Sequence, residues 1–346
     1  MPKKLKINFD DKLTFDSLIQ AYERASIGKK NKKEVLLFEM DLETNIIKIL
    51  NELKNETYEF GKYRTFIIHE PKTRVIKSLP FKDRIVHQWY IGEFIKPYMQ
   101  KRFIKDTYAC LDKRGTHNAV NTTQKYMRRM QKECNNYYVL KVDIKKYFYS
   151  INKDILMSIL SRFLKDKKLM RFTHKILNDG ENIGIPIGNY TSQWFANIYL
   201  NSFDHYIKEV LKIKYYVRYM DDFICLLKTK KECKYILNNI NDYLNNHLEL
   251  KLNQKTRYYP NKFGINFCGF KIFETHRLIR NRAKRKIKNN IKLWNKLYDT
   301  NKVNNHKVLL CWNSFKGHAK HANSFSFINK IYNELRMKEK YKKIKL

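Results

Sequence analysis

Tyr215-Tyr-Val-Arg-Tyr-Met-Asp-Asp-Phe-Ile-Cys-Leu-Leu227 decides the reading of this chain. Two apolar and aromatic runs, Tyr215–Tyr219 and Phe223–Leu227, have the composition of paired strands, and Met220-Asp221-Asp222 between them reads as a hairpin tip. Adjacent carboxylates at such a tip repel one another unless something positive lies against them. Alone, the pair reads equally as an ordinary polar turn. Upstream, Tyr137–Ile144 alternates so that Leu140 and Val142 share one face and Lys141 and Asp143 the other, which is a strand delivering a third carboxylate. Three such groups suit hard divalent cations, and two metals facing one phosphate suit in-line phosphoryl transfer.

Composition agrees. Lys plus Arg number 71 against 33 Asp plus Glu in 346 residues, a net charge of +38, which calls for a polyanion as partner. With 43% apolar and 14% aromatic residues the chain can bury a core, so wholesale disorder is excluded. No apolar run is long enough to span a bilayer and the first residues lack a signal-peptide core, so a cytoplasmic protein without a membrane partner is expected. The six cysteines form no CxxC pair, which fits reduced thiols.

Outward from the hairpin, helices are expected over 15–26, 42–53, 83–98, 116–133, 153–164, 168–177, 192–211 and 231–246. Tyr63–His69 and Arg74–Leu79 read as a hairpin around Glu70-Pro71-Lys72-Thr73, and short strands near 249–253, 256–260 and 265–273 complete the middle. Beyond 278, Ala283, Ile287, Ile291, Trp294 and Tyr298 recur at helical spacing. Arg280, Arg282, Lys284, Arg285 and Lys288 crowd the rest of that surface, which taken alone is also how a solvated helix looks. Two more helices, 303–314 and 325–343, follow. His318 and His321 are three apart without further ligands, so no zinc site is expected.

The order of motifs resembles reverse transcriptases. Tyr219-Met-Asp-Asp222 is similar to their YxDD box and Leu140-Lys-Val-Asp-Ile-Lys-Lys-Tyr-Phe148 to their first catalytic motif. Lys72-Thr-Arg-Val-Ile-Lys-Ser-Leu-Pro-Phe-Lys-Asp-Arg84 resembles the fingers motif and Gly184-Ile-Pro-Ile-Gly-Asn-Tyr-Thr-Ser-Gln193 the loop before the hairpin. Leu250-Lys-Leu-Asn-Gln-Lys-Thr256 and Phe267-Cys-Gly-Phe270 resemble the last two palm motifs. The resemblance implies an α/β (α+β) right-hand polymerase. Residues 1–58 would form a helical extension, 59–275 the fingers and antiparallel-sheet palm, and 278–346 a helical thumb. It further implies RNA-directed DNA synthesis with two Mg²⁺ ions, Mn²⁺ being able to substitute. Asp143, Asp221 and Asp222 would be catalytic and metal-binding, with the Ile144 carbonyl as an added ligand. Lys72, Arg74 and Lys255 would meet the incoming triphosphate, although Lys255 alone reads as a surface charge. Phe148 falls where these enzymes place a gate against the ribose 2′-hydroxyl, or it is a plain core phenylalanine.

Ile187-Gly188 and Ser192-Gln193 stand where many reverse transcriptases have Gln-Gly and Ser-Pro, and this departure resembles the enzymes of diversity-generating retroelements. So does Ser314-Phe-Lys-Gly-His-Ala-Lys-His-Ala-Asn323. That subclass implies frequent errors at template adenines, a structured template RNA, dNTP substrates and a small basic accessory protein. Gln193 and the cations of 280–288 would contact an RNA–DNA hybrid through its backbone. Group II-intron, retron and phage-defence enzymes are the alternatives within this chemistry, and a non-catalytic RNA-binding relative lies outside it. Because the sequence ends soon after the expected thumb, the extra domains of full-length intron enzymes are not expected here.

Overall fold

Alternation and turn chemistry produce most of the expected strands in the computed structural model, which describes residues 7–69 and 73–336; the strand expected near 249–253 is reduced to an isolated bridge at Leu252. The strands are β1 (Arg64–Ile68), β2 (Arg74–Ser78), β3 (Tyr138–Asp143), β4 (Tyr216–Tyr219), β5 (Asp222–Leu227), β6 (Arg257–Pro260), β7 (Ile265–Phe267), β8 (Phe270–Ile272) and β9 (Arg277–Ile279). They form a hairpin β1-β2, a four-stranded sheet in the order β4-β5-β3-β6, and a three-stranded sheet β7-β8-β9. The pairs β1–β2, β3–β6, β4–β5, β7–β8 and β8–β9 are antiparallel. Among the described residues no helix is long and apolar enough to cross a membrane.

The chain divides into two compact units that alternate along the sequence instead of following one another. The first takes the segment ending at Leu111, then Val142–Lys214 and Ile236–Thr256. The second takes Asp112–Lys141, Tyr215–Tyr235 and the described residues from Arg257 to Arg336. Residues 7–58 share a unit with β1 and β2.

In the first unit, helix Phe15–Ser26 starts at a capping box. The Ser17 amide donates to Thr14 Oγ1 (3.1 Å) and the Thr14 amide to Ser17 Oγ (3.2 Å), satisfying two otherwise orphaned donors. Leu18, Ala21, Tyr22 and Ala25 then line its buried side. Trp89, fully buried on helix Phe81–Tyr90, donates its indole N–H to the Lys12 carbonyl and to Ser17 Oγ. Asp83, on the same helix, is buried but satisfied: Tyr58 donates its hydroxyl (2.6 Å) and Gly61 its amide (2.9 Å). Burial still pushes the Asp83 carboxyl upward. Helical residues 83–98 do not continue as one regular helix. Ile91–Ile95 is a π-helical turn before Lys96–Met99, and the expected helix 192–211 likewise resolves into Tyr190–Tyr199, Asn201–His205 and a π-turn Tyr206–Val210.

The second unit joins the four-stranded sheet to helix Thr116–Glu133, the β7-β8-β9 sheet and the C-terminal helices. Helix Asn281–Asp299 buries Ile287, Ile291 and Trp294 against Trp312, Ile328 and Ile331 from helices Asn305–Ala319 and Phe325–Asn333. The C-terminal part of the expected 325–343 helix beyond 336 lies outside the described residues.

Candidate active site

The acid-tipped hairpin belongs to the second unit. Register places Tyr219 opposite Asp222, which leaves Met220 and Asp221 as the two turn residues. Two-residue hairpin turns want a positive φ, usually from glycine. Here Met220 takes it at φ 56°, with its side chain buried. A bulky side chain in this region costs roughly 1–2 kcal/mol, which the surroundings must hold in place. Arg218 does part of this: it is fully buried, and its Nη1 donates to the Met220 carbonyl at 3.0 Å.

Asp222 opens β5 and accepts from Lys141 Nζ at 2.8 Å. The same ammonium donates to the Asn266 carbonyl at 2.6 Å and lies 5.7 Å from the Phe267 ring centroid. Both partners are mostly shielded, with side-chain exposures of 20% and 31%. The charge of Asp222 is thus balanced by a cation carried on β3. Asp222 still acts on its neighbours. Burial first, then its charge, pushes the Cys268 thiol well up, and burial with the same charge pushes the Tyr259 hydroxyl up to about 12 despite Arg257.

Asp143, the last residue of β3, lies in the first unit and is pinned through its backbone. Its carbonyl accepts from the Asn253 amide (2.8 Å), and the Thr256 hydroxyl bridges its amide and carbonyl at 3.3 Å each. Ile144 pairs with Leu252 in an isolated antiparallel bridge. The flanking bonds, Asn253 N–H to Asp143 and Lys145 N–H to Lys251, make this a non-hydrogen-bonded pair, so the Ile144 carbonyl points away from residues 251–253. That orientation suits the added oxygen ligand expected there. Among the described residues no group of three or more His, Cys, Asp or Glu side chains is gathered to hold a metal ion by itself. Mg²⁺ does not require one, since it commonly rests on one or two carboxylates, with water and substrate phosphate filling its shell. Lys255 sits exposed in the same 253–256 turn, its amide on Asn253 Oδ1.

The 184–188 loop is clamped from two sides within the first unit. The Ile185 amide donates to the Phe148 carbonyl (2.8 Å), the Gly184 amide to Ile151 (2.7 Å), and the Lys77 amide of β2 to the Ile187 carbonyl (2.9 Å). Gly188 stands at φ 126°, where an added Cβ would meet the Lys77 carbonyl oxygen at 2.6 Å and Ile76 Cγ2 at 2.9 Å, so glycine is required. Ile187 is half-buried and lines a cavity of about 210 Å³ with Val75, Lys77 and Tyr149. Phe148, partly exposed, sits on the short helix Tyr147–Ser150 after a left-handed Lys146. A neighbouring cavity of about 360 Å³ is lined by Lys145, Lys146 and Lys251. Arg74 is exposed at the start of β2, on a hairpin that also exposes Phe66, Ile67 and Ile68, and Gln193 is half-buried on helix Tyr190–Tyr199. Lys72 lies outside the described residues.

Arg280 immediately precedes helix Asn281–Asp299, and Arg282, Arg285 and Lys288 are exposed along it. Lys284 and Lys288 approach the Phe327 ring at 5.3 and 5.9 Å. His318 stacks on Phe270 and His321 on His117, which accounts for both by packing. Sequence reasoning passed over Lys141, Arg218 and Thr256. For the first two a signal existed: Lys141 shares the strand alternation of Asp143, and Arg218 is a charge inside an apolar strand.

A family model described as reverse transcriptase (RNA-dependent DNA polymerase) matches residues 50–272. Protein YkfC of Escherichia coli (strain K12) is 26% identical, over 62% of this chain and 65% of that protein. The group II intron-encoded protein LtrA of Lactococcus lactis subsp. cremoris is 21% identical, over 66% of this chain and 50% of LtrA. The chain thus spans less than two thirds of either relative. Telomerase from Candida albicans in complex with a fragment of telomeric RNA superposes with a TM-score of 0.46 at 11% identity, over 73% of this chain and 55% of that one, too partially to bear on function. With more than half of its residues inside that family model, carrying both the β3 aspartate and the acid-tipped hairpin, the chain belongs to the reverse transcriptase family.

Proposed function

We propose that this chain is an RNA-directed DNA polymerase that copies a structured template RNA within a diversity-generating retroelement, with a small basic accessory protein as partner. The observation that carries the polymerase reading is the Met220-Asp221 turn, braced by Arg218 and flanked by the Lys141–Asp222 pair, inside a chain of this family. In the reaction the primer 3′-oxygen bonds to the α-phosphorus of a dNTP while the bond to pyrophosphate breaks. Two divalent cations, Mg²⁺ or in its place Mn²⁺, supply charge neutralisation and a more acidic 3′-hydroxyl when bound. Asp143, Asp221 and the Ile144 carbonyl would hold them, with Asp222, paired to Lys141, completing the acidic set. Lys72, Arg74 and Lys255 receive the triphosphate through charge-assisted hydrogen bonds. Phe148 excludes the 2′-hydroxyl, and Ile187-Gly188 borders the nascent pair. Gln193 and the exposed cations of Asn281–Asp299 follow the hybrid backbone without reading bases, which every register of a moving template demands.

Primer extension on an RNA template tests the reading. Asp221→Asn should reduce cDNA by at least about 10³-fold, an effect of the order of 4 kcal/mol on the barrier. Equal cDNA from wild type and variant would refute it. The subclass rests on Ile187, which offers no amide to the template base or incoming nucleotide, so discrimination there loses polar contacts. Ile187→Gln should lower substitutions opposite template adenines. The similarity to LtrA and to an intron protein of yeast favours a second reading, a group II-intron-type enzyme, and unchanged adenine errors would move the assignment there.

A further inference from the structure

Outside the residues assigned above, the second unit carries a cavity of about 390 Å³ lined by basic side chains from three separate elements, with Arg128, Arg277 and Lys320 as its fixed cations. Arg128 comes from helix Thr116–Glu133, His276 and Arg277 from the approach to and start of β9, and Lys320 and His321 from the turn after helix Asn305–Ala319. No Asp or Glu lines it. Both guanidinium groups are held by their Nε edges, Arg277 on Gln124 Oε1 (2.8 Å) and Arg128 on the Glu274 carbonyl (2.6 Å). Gln124 is itself buried and anchored on the Phe273 carbonyl at 2.9 Å. The nearby Glu274 carboxylate accepts from Tyr137 and Asn261. The Asn323 amide donates to the Arg277 carbonyl (2.8 Å) and the Arg277 amide to Asn323 Oδ1 (3.4 Å), which ties the β9 side of the cavity to the turn side.

Fixing like charges side by side works against the folded state, and the molecule registers this. Burial and then Arg128 depress Arg277, and burial followed by His117, Lys320, His318 and Arg277 depresses His321. Arginine forks pre-aimed in this way match tetrahedral oxyanions, which accept from several N–H groups at once. We propose that this pocket binds a phosphate group, presented either by an RNA strand or by a free nucleotide, at a place separate from the residues assigned to polymerisation.

The test uses the full chain and fluorescence anisotropy with a labelled single-stranded RNA, titrated across a salt series, together with binding of ATP and of inorganic phosphate. Arg128→Gln/Arg277→Gln should weaken RNA binding about tenfold near 0.1 M salt. Its log–log salt slope should flatten by about 1.4, two contacts at about 0.7 each for a single strand. Lys320→Gln, a change at an exposed side chain, should flatten it by about 0.7 and decides the matter if the double variant does not fold. Unchanged RNA binding with lost ATP or phosphate binding supports the pocket and names the nucleotide as its ligand. Unchanged binding of all three probes in the folded variants overturns the proposal. Primer extension on a short pre-annealed hybrid should proceed at the wild-type rate in these variants. Failure of the wild type to extend would instead count against the polymerase reading and leave the binding result standing.

Discussion

Removing the Lys141 ammonium while keeping its stem, as in Lys141→Met, tests how the acidic turn is held. At 2.8 Å and an effective dielectric of about 20, the Lys141–Asp222 attraction is roughly 6 kcal/mol before hydration is counted. Exposures of 20% and 31% mean that most of this replaces water contacts. A charge-assisted hydrogen bond of this kind leaves about 1.5–3 kcal/mol, and the Asn266 carbonyl loses its donor as well. Lys141→Met should therefore destabilise by about 2 kcal/mol, Asp222→Asn by somewhat less, and the double variant by less than the sum. The coupling expected from urea denaturation of the four proteins is about 1–1.5 kcal/mol. A coupling below about 0.3 kcal/mol would show that the two side chains do not depend on each other, and the account of Asp222 as an internally balanced charge would fall.

Gly188→Ala should lower primer-extension rate at least tenfold and destabilise by about 2 kcal/mol, because a backbone carbonyl at 2.6 Å cannot yield as a side chain would. A variant with wild-type rate and melting temperature would refute the clamp. His87 gives a pH signature: fully buried with Nδ1 3.2 Å from the Thr191 hydroxyl, its pKa is down to about 3. The unfolded chain binds this proton below about 6.5 and the folded chain does not, so stability falls as pH drops from about 6.5 toward 3, by at most about 1.4 kcal/mol per unit. Urea midpoints at pH 7 and pH 5 should differ in the wild type, and His87→Gln should shrink the difference. An unchanged difference would assign it to other groups.

The hairpin β4-β5, the strand β3, the hairpin β1-β2 and helix Asn281–Asp299 were all legible because each rests on local pattern: alternation, a turn, or an apolar stripe. The π-turns at Ile91–Ile95 and Tyr206–Val210 were not, since one extra residue per turn leaves the apolar pattern nearly intact. Asp143, Asp221 and Asp222 could be named from motif order, but their supports could not. Thr256 reaches Asp143 across 113 residues and Lys141 reaches Asp222 across 81, and pairings at such separations leave no periodic trace. The cation-lined pocket escaped for the same reason, being assembled from residues 124–128, 275–277 and 320–323.

Each unit is assembled from three stretches of chain, and the boundary inside β3 falls between Lys141 and Val142, one strand serving both. No single cut in the gene then frees a piece that contains one whole unit and nothing else. A hybrid that joins a front or back half to a relative's would divide both units at once.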